Sequence, residues 1–122
     1  MKLLLDESVP KRLAASFPAS FTLRTVQEMG WSGTGNGLLL SLAAREGFDA
    51  MITVDRGIEH QQNLEALPIP VVIMLAARNR LTELQPLVPA AVDVLSGDLQ
   101  RRIYRVSAAT PRTLEPGSRS RT

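Results

Sequence analysis

Three short runs in this 122-residue chain are, but for Thr53, apolar at successive positions rather than at alternate ones: Leu3–Leu5, Ala50–Val54 and Val71–Leu75. A strand that is apolar without alternation buries both of its faces, and such strands belong to parallel sheets covered by helices on each side. Segments with helical spacing and helix punctuation separate the runs. That alternation predicts an α/β sandwich with a mainly parallel sheet.

The elements follow from local chemistry. Lys2–Leu5 is the first predicted strand, and Ser8, with Pro10 behind it, is placed to cap a helix running through Leu13 and Ala14 to about Phe17, where Pro18 ends it. Phe21–Val26 alternates and carries enough β-branching for a second strand. A loop with Met29, Gly30 and Trp31 leads to GTGNG, after which Asn36 is expected to cap a helix over Gly37–Glu46 stopped by Gly47. Ala50–Val54 forms the third strand and a short helix runs from Glu59 to about Leu67. Val71–Leu75 is the fourth strand. Leu81, Leu84, Val88, Ala91, Val92 and Leu95 share one helical stripe, which Pro86 and Pro89 kink or divide. Gly97 stops that segment, and Arg102–Val106 is a fifth, more polar strand at an edge. A chain of this length is one domain, over residues 1–107. Residues 108–122, rich in Ser, Pro and Arg, are expected to be a disordered basic tail.

Charge and composition narrow the function classes. The tail holds Arg112, Arg119 and Arg121 against Glu115, which leaves 11 basic and 11 acidic residues in 1–107. The high pI of about 9.7 is therefore no sign of a phosphate-binding face across the folded part. There is no cysteine, hence no disulfide and no thiolate metal site. The opening apolar run is too short for a signal peptide, and no run approaches the roughly 18 residues of a membrane span. A cytoplasmic location, without membrane attachment, is expected.

The chemistry gathers at two strand ends. KLLLDES puts Asp6 and Glu7 directly after the first strand, and MITVDRG puts Asp55 directly after the third. In open parallel sheets ligands bind beyond the carboxyl ends of the strands, near the point where strand order reverses. With a strand order of 2-1-3-4-5, Asp6 and Asp55 would share one crevice. At about 4 Å two such charges repel by roughly 4 kcal/mol at an effective dielectric of 20. A divalent cation reverses that sign, and Mg2+ or Mn2+ with a carboxylate pair can promote attack of water on a phosphodiester. Alternatively, each Asp is a helix N-cap, which suits Asp55 ahead of a short helix.

The segments LLLDESVPKRL, EMGWSGTGNGLLLSLA, ITVDRGIEHQQNL, LPIPVVIML and LQPLVP, in this order over about residues 1–107, resemble the small PIN-like proteins of prokaryotes, relatives of the VapC-type toxins. The resemblance implies a PIN-like α/β/α sandwich with a mainly parallel five-stranded sheet and a Mg2+- or Mn2+-dependent endoribonuclease site. Asp6 and Asp55 take the positions of metal-binding acids, with Glu7 assisting. Asn36, Gln62 and Asn63 fall where they can contact RNA or order water. The resemblance further implies a toxin paired with a cognate antitoxin protein, and homodimers are common for this fold class. The chain departs from the pattern where the family carries an acid in the first turn after the glycine-rich loop. That position is Leu38, and a second acid of wider relatives is replaced by Gly57. Glu7 and Glu59 are the candidate substitutes. These departures open a second expectation, a catalytically degenerate module that binds RNA or a protein partner.

Other readings are weaker. A phosphoryl-accepting receiver domain also has acids after strands one and three, but it needs a hydroxyl after strand four and a lysine after strand five. Here Ala76 and Ala77 follow strand four, and no lysine lies beyond Lys11. GTGNG lacks the tight strand-to-helix turn and the following lysine of a phosphate loop, and reads as surface loop. His60, the single histidine, sits in a polar turn and reads as a surface residue. Met29 and Trp31 are expected to plug their loop onto the core.

Overall fold

The computed structural model describes residues 1–61 and 66–108. Its centre is a five-stranded sheet, β1 (Lys2–Leu5), β2 (Thr22–Thr25), β3 (Ala50–Thr53), β4 (Val71–Leu75) and β5 (Ile103–Ser107), in the order β2-β1-β3-β4-β5. Every pairing is parallel. The order reverses between β1 and β3, as the expected topology requires.

Alternate side chains of the three central strands enter two separate cores. Leu3, Leu5, Ile52, Val72 and Met74 pack on one face against a 3-10 helix over Lys11–Ser16, α3 (Leu81–Leu84) and α4 (Val88–Ser96). Leu4, Met51, Val71 and Ile73 pack on the other against α1 (Asn36–Arg45) and Ile58 of α2 (Ile58–Gln61). Both faces being covered explains the uninterrupted apolar runs: a polar side chain on either face would be buried without partners. Met29 and Trp31 close the second core as expected, with Trp31 edge-on to Phe48 at 6.1 Å between ring centroids. β2 and β5 each pair on one side only, and their exposed positions are the polar ones expected of edges. No helix among the described residues is long and apolar enough to cross a membrane.

Several local expectations are corrected. The first helix is 3-10 and begins after Pro10, and the Ser8 hydroxyl donates to Asp6 instead of capping it. Helix α1 starts one residue early. Gly35, in extended conformation, is its N-cap, accepting from Leu39 N–H, and Asn36 is the first helical residue. β3 stops at Thr53 because the Val54 amide turns to Ser8 Oγ at 3.5 Å and leaves the ladder. The proline-bearing stripe divides into α3 and α4 through a 3-10 turn over Gln85–Leu87, since Pro86 and Pro89 lack the N–H that a continuous helix would use. α2 begins at Ile58, and the rest of the helix expected up to Leu67 runs into residues 62–65, outside the described residues. The expected tail falls there too, apart from Ala108.

Candidate functional site at the carboxyl ends of the strands

Register decides which strand-end groups meet. Leu5 lies opposite Ile52, so the next residues, Asp6 and Thr53, are lateral neighbours. The Asp6 amide continues the ladder by donating to the Ile52 carbonyl at 2.9 Å. Asp55 stands two residues further out on its own chain, so the two acids are offset rather than level.

A threonine hydroxyl bridges that offset. Thr53, fully buried, donates from Oγ1 to Asp6 Oδ2 at 2.9 Å, and the same oxygen accepts the Asp55 N–H at 3.0 Å. Ser8 Oγ gives Asp6 Oδ2 a second bond at 2.8 Å. Asp55 uses its other resources locally: Oδ1 accepts the Gly57 N–H at 2.8 Å, an Asx turn that leads into α2. The loop-capping alternative for Asp55 is thus realised, and it leaves Oδ2 without a hydrogen bond among the described residues. Asp6 Oδ1 has none either. Among the described residues, neither carboxylate has an arginine or lysine within ion-pairing distance. Arg105 with Glu59 is the ion pair among the described residues.

The remaining candidates divide. Glu7 is exposed and reaches sideways, its Oε1 accepting the Gly33 N–H at 2.8 Å and tying the first loop to the glycine-rich one. Gly33 holds φ at +81°, a conformation that favours glycine, so that contact depends on GTGNG being flexible in sequence. Glu59 is committed to Arg105 of β5, with Arg105 Nε donating to Oε2 at 3.0 Å. Asn36 is partly buried at the start of α1. Leu38 is 60% exposed. His60 is exposed on α2. Gln62 and Asn63 lie outside the described residues. Among the described residues no three acidic or histidine side chains come together as a metal-holding group.

Sequence reasoning missed Ser8 and Thr53 as site residues. It also missed Asn79, whose Nδ2 donates to the Ser8 carbonyl at 2.6 Å and clamps the loop after β4 onto the loop after β1. The one available signal for Thr53 was a hydroxyl residue at the end of an otherwise apolar run. No family model matches the chain, and comparison with curated proteins and with solved structures finds no match.

Proposed function

We propose that the chain is a PIN-like, divalent-cation-dependent endoribonuclease of the cytoplasm, acting as the toxin partner of an antitoxin protein. The observation that carries this reading is the pair Asp6 and Asp55. They come from strand ends adjacent in the sheet, are joined through Thr53, and form no ion pair with a protein cation among the described residues. Two hard carboxylate oxygens without hydrogen bonds among the described residues suit Mg2+ or Mn2+, which are held by one or two carboxylates together with water and substrate phosphate. When bound, such an ion supplies neutralisation of charge on the phosphate.

The protein's own residues would do the rest. Ser8 and Thr53 fix the Asp6 carboxylate in one rotamer, and the Gly57 amide does the same for Asp55. Thr53 holds the two loops at a set separation. Asn79 keeps the β4 loop at the rim. Such preorganisation lets the charged groups act without rearranging when substrate arrives.

A second reading is favoured by one observation, the exposed Leu38 together with Glu59 held by Arg105. On it the module has lost turnover and binds RNA or a protein partner, a second copy included. Cleavage of a mixed RNA pool in Mn2+ separates the readings. The nuclease reading expects cleavage by wild type and its loss in Asp55→Asn; equal background cleavage by both removes it. Under the degenerate reading, Leu38→Glu gains metal-dependent cleavage that wild type lacks.

A further inference from the structure

A cavity of about 340 Å³ opens at the carboxyl ends of β3 and β4, on the side of the sheet covered by α3. Val54, Met74, Ala76 and Leu84 close its base, Met74 and Leu84 being almost completely buried, and its lining includes two guanidinium-bearing residues, Arg56 and Arg78. Val54 and Arg56 flank Asp55 in sequence. By strand alternation Thr53 faces the α1 side and Val54 the α3 side. The cavity therefore lies across one strand end from the carboxylate pair. Asn79 belongs to both, lining the cavity and clamping the Asp6 loop through the Ser8 carbonyl.

Among the described residues, neither arginine has a structural task that accounts for its charge. Arg56 donates one N–H, from Nη2, to the Ala76 carbonyl at 3.3 Å, and its other donors meet no acceptor among the described residues. Arg78 is anchored by its backbone, whose N–H donates to Glu83 Oε1 at 3.2 Å. Neither guanidinium forms an ion pair among the described residues. Two planar forks of donors in one mainly polar cavity fit a phosphate, which takes the guanidinium hydrogen bonds. The volume is in the range of small-ligand sites and accommodates one nucleotide.

We propose that the Arg56–Arg78 cavity binds one nucleotide of a single RNA strand, holding a phosphate next to the one presented to Asp6 and Asp55. The assignment rests on the nuclease reading for its neighbour but not for its chemistry, since the cavity binds without metal. Arg56 and Arg78 are binding residues, and the contact tolerates any sequence because a phosphate carries no base code.

The test is fluorescence anisotropy of a labelled single-stranded ribooligonucleotide in EDTA, titrated with wild type, Arg56→Gln, Arg78→Gln and Asp55→Asn. Each arginine substitution should weaken binding about tenfold, the loss expected for a charge-assisted hydrogen-bonded contact. It should also reduce the slope of log affinity against log salt by about 0.7. Asp55→Asn should bind at least as well as wild type, because a negative charge beside the strand is gone. Arg56→Lys and Arg78→Lys, which keep charge but lose the fork, should fall between. Circular dichroism and melting temperature confirm that Arg56→Gln, which loses its bond to Ala76, remains folded. Wild-type affinity in both Gln variants, or no binding by wild type in EDTA, overturns the cavity assignment whatever the cleavage assay gives. Arginine-dependent binding without manganese-dependent cleavage keeps the cavity and sinks the nuclease reading.

Discussion

The interiors of β1 and β3 and the residues just beyond them differ more than any other adjacent regions of the molecule. From Leu3 to Leu5 and from Ala50 to Ile52 every residue is completely buried and apolar. One residue further, the same two chains carry Asp6 and Thr53, and a buried hydroxyl holds a carboxylate and a backbone amide together. The interior is held by area removed from water, which is indifferent to direction. The edge is held by hydrogen bonds of fixed geometry between groups that cost free energy when left unpaired. The first makes a sheet of this order; the second makes one place on it chemically distinct.

The largest effect expected on either side of that boundary belongs to the interior. Ile52→Ala removes a fully buried side chain from between two covered faces and should cost about 2–5 kcal/mol in urea unfolding. A loss below about 1 kcal/mol would mean that the central strand is less tightly packed than its burial indicates. Next comes the metal response. If Asp6 and Asp55 hold Mn2+, an ion at a hundred times its dissociation constant should stabilise the fold by about 2.7 kcal/mol. That rise in melting temperature should vanish in Asp6→Asn and in Asp55→Asn, while Ile52→Ala should keep it. A rise of equal size in all four proteins would separate the stabilisation from the carboxylate pair.

Thr53→Val sharpens the contrast because it changes chemistry at constant shape. The hydroxyl's loss deprives Asp6 Oδ2 of a donor and leaves the Asp55 N–H without its acceptor, so a cost of about 1–3 kcal/mol is expected. Thr53→Ser, which keeps the oxygen, should recover most of it. Equal stability of wild type and Thr53→Val would show that the edge network orients side chains without supporting the fold.

The same boundary separates what was legible in the sequence from what was not. β1 and β4 are found at their expected limits, because runs such as VVIML suit burial on both faces, and the strand order is the one under which Asp6 and Asp55 were expected to share a crevice. The acids at the ends of the first and third strands were equally visible. Their relation was not: the two-residue offset between Asp6 and Asp55 is a property of register, and register depends on how both faces pack at once. Ser8 was read as a helix cap because its local sequence allows one, and a carboxylate two residues before it won the hydroxyl instead. Arg56 and Arg78 carry no local signal in the sequence, and only the fold sets both in the lining of one cavity. Apolar patterning is a local signal, whereas partner choice among polar groups is decided by tertiary neighbours.

The smallest effect is expected at the edge strand β2, where a polar clasp stands outside both cores. Glu28 Oε1 accepts the Thr25 N–H at 2.8 Å, and the Glu28 N–H returns a bond to Thr25 Oγ1 at 3.0 Å. The bond from the Thr25 amide is the main reason the Glu28 carboxyl lies below its ordinary pKa, with the Thr25 hydroxyl and the charge of Arg24 acting the same way and partial desolvation opposing them. A carboxylate with a lowered folded pKa contributes stability that is complete above its unfolded value of about 4.3 and is lost as pH falls through the lower, folded value. Glu28→Gln should therefore lower the melting temperature slightly near pH 7 and leave it unchanged once both proteins are below that window. Because Glu28 is in solvent, the difference should be smaller than that of Thr53→Val, whose hydroxyl is fully buried. The two clasps have the same hydroxyl-and-carboxylate chemistry, so a larger loss at Glu28 than at Thr53 would overturn the claim that burial sets the strength of the polar edge.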